Sequence, residues 1–116
     1  MPDLIHLDLS QNLLSDISAL AGLTNLQSLR LSFNQISDIS TLSDLSTLHD
    51  LFLIENQISD ISALENLTKL DLVNLMGNPS VTSQQAERLQ AKLPDTIVQY
   101  GELPEHLRLA LEAGWL

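Results

Sequence analysis

LSFNQISDISTLSDLSTL, residues 31 to 48, decides the fold of this chain. Its aliphatic residues are Leu31, Ile36, Ile39, Leu42, Leu45 and Leu48, and its one asparagine is Asn34. Shifted by 22 residues, the same letters return. Leu9, Leu14, Ile17, Leu20 and Leu23 stand before it, and Leu53, Ile58, Ile61, Leu64 and Leu67 after it. Asn12, Asn34, Asn56 and Asn78 keep the same interval of 22. Two more columns complete the unit: Leu4, Leu26, Leu48, Leu70 and Leu7, Leu29, Leu51, Val73. Such a period is too long for a coiled-coil heptad and too short for a repeat of paired helices.

The physics of each column follows from its neighbours. Around Leu7 and Leu9 apolar and polar residues alternate, which reads as a short strand with leucines inward and the intervening residues outward. One repeat cannot bury its own leucines, so repeats must stack, and stacked strands make a parallel sheet. The asparagine ends each strand. Its carboxamide both donates and accepts, so it can pair the backbone of its own turn and of the next one. Ser-Asp-Ile-Ser follows at Ser15–Ser18, Ser37–Ser40 and Ser59–Ser62. Serine and aspartate favour turns and helix starts, and apolar residues three apart suit a 3₁₀ turn on the far side of the solenoid. Asp16, Asp38 and Asp60 then read as a row of N-caps, not a cation site, because calcium needs many more convergent oxygens.

Each unit reads L-x-x-L-x-L-x-x-N, the leucine-rich-repeat signature. The block from Leu31 to Leu48 resembles the short 22-residue repeats of the internalins and of a protein phosphatase regulatory subunit. The resemblance covers residues 4 to 78, and residues 79 to 100 more loosely. It implies an α/β right-handed solenoid with a parallel sheet on the concave face, 3₁₀ or short helical turns on the convex face, and a C-terminal capping helix. Internalin-like relatives are surface proteins and phosphatase-subunit-like relatives are intracellular, so the resemblance leaves the compartment open.

The capping helix also has its own local signals. Asn78-Pro79 is followed by Thr82-Ser83-Gln84-Gln85, a helix start, and Leu93-Pro94 is a helix end. A helix over Ser83–Leu93 keeps Ala86 and Leu89 in phase with Leu64 and Leu67. Ile97 falls 22 after Leu75, which predicts a fifth strand in the same register. The expected division is a repeat domain over 1–100, with its cap at 79–100, and a tail over 101–116. In the tail, Pro104-Glu105 starts a helix with Leu107, Ala110 and Leu111 on one face, and Gly114 ends it before Trp115 and Leu116.

The chain has 116 residues, a formal net charge of −10, 44% hydrophobic but only 3% aromatic residues, and no cysteine. This is one domain with an aliphatic core, with neither disulfides nor a cysteine metal site. The charge argues against nucleic acid and anionic membranes as partners. No apolar run is long enough to insert into a membrane, and no signal peptide opens the chain. His6, His49 and His106 are too scattered for a triad or a metal centre, and no glycine-rich phosphate loop exists. The expectation is therefore no catalysis, no metal and no cofactor. Met1-Pro2-Asp3 leads abruptly into the first strand, with Met1 in phase with Leu23. That start reads as a fragment of a longer array, or as an open end that pairs two copies into a homodimer.

Function in such a solenoid belongs to the outward strand positions. They are His6, Ser28, Asp50, Leu72; then Asp8, Arg30, Phe52, Asn74; then Ser10, Ser32, Ile54, Met76. Gln11, Phe33, Glu55 and Gly77 run beside them. The first two repeats are polar here, whereas the next two present Phe52, Ile54, Leu72 and Met76, rimmed by Arg30, Asp50, Glu55 and Asp71. An exposed apolar patch of this kind predicts a protein contact surface. Its expected members are Phe52, Ile54, Leu72, Met76, Arg30, Phe33, Asp50 and Asn74. The competing expectation is that the tail folds back over the patch. A self-associating segment with no partner of its own is the alternative function.

Overall fold

The structure is a computed structural model that describes residues 3–114. Met1, Trp115 and Leu116, which entered the reading above, lie outside the described residues. Five strands, β1 His6–Asp8, β2 Ser28–Arg30, β3 Asp50–Phe52, β4 Leu72–Asn74 and β5 Ile97–Gln99, form one parallel sheet in sequence order. The 3₁₀ turns Ser18–Gly22, Ser40–Asp44 and Ser62–Leu64 cross the opposite side. The helix α1, Ser83–Lys92, takes the fourth crossing, and α2, Glu105–Glu112, follows β5.

The alternation in each strand sets what is buried. Leu29, Leu51 and Val73 point into the core and are fully buried, as are Leu31, Leu53 and Leu75. The convex columns close the core from the other side through Ile39, Leu42, Leu45, Ile61, Leu64 and Leu67. Burying each such side chain contributes roughly 1.5–3 kcal/mol before chain entropy is subtracted. The β1 end is less enclosed: Leu4, Leu7 and Leu9 are only partly buried.

The asparagines bind repeat to repeat. Asn56 donates from Nδ2 to the Leu31 carbonyl of the preceding repeat (3.0 Å) and the Leu53 carbonyl of its own (3.2 Å). Its Oδ1 accepts from the Ile36 N–H at 3.1 Å. Asn34 and Asn78 repeat this pattern one step earlier and later. Asn12 bonds only carbonyls of its own turn, Leu9 and Ser10, and is exposed. The carboxamides thus occupy backbone groups that would otherwise be buried unpaired.

Two expectations need correction. The aspartates do not occupy the N-cap position, which falls on Ile17, Ile39 and Ile61. They stand one residue earlier, and each Oδ1 accepts the N–H of Ser18, Ser40 or Ser62 at 2.9 Å. These bonds hold all three carboxyls below the ordinary carboxylate range.

The second correction is the register of β5. The first four strands pair at a 22-residue offset, as in Leu29 opposite Leu51. Val98 pairs with Val73 and Ile97 with Leu72, an offset of 25. The extra residues belong to the fourth crossing, where an α-helix rises about 1.5 Å per residue against about 2.0 Å in a 3₁₀ turn, so the path uses more chain. Ile97 is therefore 61% exposed on the outer face. Val98 is the inward residue of the last strand.

The helix α1 is otherwise built as its sequence demands. Thr82 caps it, accepting the Gln85 N–H, while the Gln85 side chain accepts the Thr82 N–H. Ala86 and Leu89 are buried in the core columns. Thr96, also buried, donates to the Leu70 carbonyl at 2.7 Å and ties the end of the cap to the repeats.

Candidate protein-binding face

Strand pairing places the outward residues in rows. Asp50 lies between Ser28 and Leu72, and Phe52 between Arg30 and Asn74, continued by Gln99. Beyond the strands the chain steps into the left-handed region at Gln11, Phe33 and Glu55, with φ of 60°, 59° and 55°, and at Gly77, with φ of 79°. A bulky aromatic such as Phe33 is uncommon there, and the conformation costs it local strain. At Gly77 a Cβ would lie 2.9 Å from the Glu55 Cδ, so the glycine leaves room for the Glu55 side chain.

The Arg30 guanidinium carbon lies 4.9 Å from the centre of the Phe52 ring, a cation–π contact that fixes both side chains on the open sheet. Arg30 makes no ion pair among the described residues, in contrast to Arg88 with Glu65 and Arg108 with Glu105 and Glu112. Asn74 uses its Oδ1 to accept the Met76 N–H at 3.0 Å, and Ser32 Oγ accepts the Ile54 N–H at 3.2 Å. These two polar groups hold the strand ends and leave the apolar atoms facing outward.

Of the eight residues expected to form the patch, Arg30, Phe33, Phe52, Ile54, Asn74 and Met76 line one groove of about 600 Å³. Asp50 and Leu72 lie in the neighbouring row and do not line it. The opposite wall comes from the C-terminal segment: Leu103, Leu107 and Leu111. The expectation of an openly exposed patch is therefore corrected. Ile54 is 5% exposed and Asn74 is buried, while Phe52, Leu72 and Met76 are half-buried. The apolar face of α2 was legible in the sequence, and the place where it lands is the one named by the competing expectation, the tail folded back over the patch. Gln11, which donates from Nε2 to the Leu111 carbonyl at 2.9 Å, carried no signal of that role.

Elsewhere the chemistry is sparse. His49 Nδ1 and Asp71 Oδ2 meet at 3.2 Å on the exposed surface, so Asp71 pairs with a histidine rather than with the groove. Among the described residues no cluster of three or more His, Asp or Glu is placed to hold a metal ion. Among them, too, no helix is long and apolar enough to cross a membrane.

A family model of leucine-rich repeats (2 copies) matches residues 2–44. No curated protein matches the chain. Among solved structures, an internalin (inlF) of Listeria monocytogenes is 34% identical, with a TM-score of 0.77 over 89% of this chain and 31% of its own. A leucine-rich-repeat protein of Leptospira interrogans is 29% identical, with a TM-score of 0.76 over 84% of this chain and 26% of its own. Internalin C2 of Listeria monocytogenes is 31% identical, with a TM-score of 0.69 over 88% of this chain and 46% of its own. The chain spans less than half the length of each of these structures. The leucine-rich-repeat match lies in the first repeats, the fold is that of a leucine-rich-repeat solenoid, and the likeness to internalins read from the repeats extends to the structure.

Proposed function

We propose that this leucine-rich-repeat chain is a protein-interaction module that binds its partner on the outer face of the sheet, with Phe52 as anchor. The observation that carries this reading is Phe52 itself. It is a half-buried aromatic on the outer face of the sheet, stacked with Arg30 and flanked by Ile54, Met76 and Phe33 in one groove. Aromatic and arginine side chains in partly desolvated pockets are the commonest energetic centres of protein interfaces. In this reading residues 1–100 are the binding unit and 101–116 an accessory segment. The role assigned is recognition without catalysis.

Photo-crosslinking in the native host tests it. A photoreactive residue at Asp50 or Arg30, on the outer face, is expected to trap a protein that the same residue at Asp44, on the convex side, does not. Equal adducts from both faces, or adducts from Asp44 alone, overturn the assignment.

A second reading, self-association through the β1 end, draws on one observation. Leu13 is 80% exposed and Ile5 43% exposed, beside the partly buried Leu7 and Leu9. Light scattering is then expected to show a dimer that Leu13→Lys converts to a monomer. A monomeric parent chain removes this reading.

A further inference from the structure

We propose that the groove beneath α2 takes an amphipathic helix from another protein, one presenting leucines four residues apart, and that α2 holds this seat within the chain until such a helix displaces it. The inference rests on the reading of the outer sheet face as the binding surface, and it names the kind of partner that surface fits. Leu107 and Leu111 stand four apart on α2 and line the groove opposite Phe52, Ile54 and Met76, with Leu103 just ahead of the helix. Residues four apart share one face of a helix, so a helix is the shape that delivers such a row.

The seat is occupied but not filled. No residue of α2 is buried, although Leu107 and Leu111 are half-buried in the groove and Leu109 is 54% exposed. About 600 Å³ remains between helix and sheet. A helix that belonged to the core would close such a space, because interiors pack to the density of organic crystals. Ile54 shows that the cover is nonetheless real. It lies outside the main hydrophobic cluster, yet only 5% of it is exposed.

The attachment is also slight. Arg108 satisfies its charge within the helix, pairing with Glu105 at 3.4 Å and Glu112 at 3.0 Å, so the polar face asks nothing of the repeats. Among the described residues, the hydrogen bond that joins α2 to the repeats runs from Gln11 to a backbone carbonyl, that of Leu111. Any helix of suitable register offers such a carbonyl. The segment departs from the sheet at Gly101, whose carbonyl accepts the Gly77 N–H at 2.9 Å and whose φ of +99° is open to glycine. A fixed anchor followed by a glycine allows the segment beyond it to swing without disturbing β5.

The probe is a synthetic peptide of residues 102–114, titrated against two full-length chains: the parent and Leu107→Asp/Leu111→Asp. A tethered occupant acts at an effective concentration of order millimolar, so it weakens binding of an equivalent free helix by roughly tenfold or more. The variant chain is therefore expected to bind the peptide on the order of tenfold more tightly. Adding Phe52→Ala to the variant is expected to remove that gain. Equal affinity for both chains, or a gain that survives Phe52→Ala, overturns the proposal. A large fall in the urea midpoint of the variant also overturns it, because that would make α2 part of the core. The result separates from that of the crosslinking experiment. A trapped partner without peptide binding removes the helix seat and leaves the partner reading standing, whereas adducts that fail to favour the outer face remove the reading on which the proposal rests, whatever the peptide does.

Discussion

The two helices of this chain are ten and eight residues long and close together in sequence, yet they belong to the molecule in different ways. The first, α1, replaces a 3₁₀ turn in the stack, enters with a reciprocal cap at Thr82, and puts Ala86 and Leu89 into the columns left by Leu64 and Leu67. The second, α2, has no side-chain cap and no buried residue, and it rests on the opposite face of the sheet. The difference teaches that amphipathicity alone does not place a helix in a core. What places α1 is the repeat phase, which supplies a slot against the third crossing, through Ser59 and Glu65, and against β5. What places α2 is only a row of apolar side chains on an open face.

Leu89→Ala removes a side chain buried on all sides and is expected to cost about 2–5 kcal/mol in urea denaturation. A loss near zero would mean that α1 is as loosely held as α2. Asn56→Ala, next in size, leaves backbone groups of two repeats without a partner and is expected to cost about 1–3 kcal/mol. Asn12→Ala, which touches one turn only, should cost clearly less; equal losses would show that the inter-repeat bonds contribute nothing. Thr82→Ala opens the cap of α1 and is expected to cost about 1 kcal/mol. Leu107→Ala on α2 is expected to fall below about 1 kcal/mol, within reach of an ordinary surface substitution. A loss comparable to that of Leu89→Ala would erase the distinction between the helices.

The smallest effect concerns acid. The Ser18, Ser40 and Ser62 N–H groups favour the ionised forms of Asp16, Asp38 and Asp60, so their folded pKa values lie below the unfolded ones. Their contribution is present above the ordinary carboxylate range and is lost as pH falls through the folded values. All three carboxylates are fully exposed, so the effect is slight. Asp38→Asn is expected to reduce the acid-side loss of the urea midpoint while leaving α2 unaffected. An unchanged acid slope would show that these bonds do not survive in solution.

The solenoid was legible because each of its residues answers to a local rule repeated at a fixed interval. Leu29, Leu51 and Val73 are inward because they alternate, and Asn34, Asn56 and Asn78 are ladder rungs because nothing else in the turn can pair two backbones. The register of β5 was not legible. Counting 22 from Leu75 lands on Ile97, and only the geometry of a full α-helix in place of a 3₁₀ turn explains why Val98 is inward instead. Six of the eight candidate residues line one groove, Asp50 and Leu72 do not, and whether the tail covers that groove was left open by the sequence. Phe52, Arg30, Phe33, Ile54, Asn74 and Met76 could be read off the outward positions. That Leu107 and Leu111 share a groove with Ile54 depends on how segments far apart in sequence meet; the fold-back of the tail could be named as an expectation, but periodicity carries no information that decides it.

Residue-resolved amide hydrogen exchange on the full chain tests most directly the claim that α2 is a removable occupant of a binding face and α1 a part of the fold. Amides at the core of α1, such as those of Leu89 and Gln90, are expected to exchange only through global unfolding, while those of Leu109 to Glu112 exchange through local opening, orders of magnitude faster. Equal protection in the two helices, lost together as denaturant is added, would contradict the account and make the outer face of the sheet an interior surface.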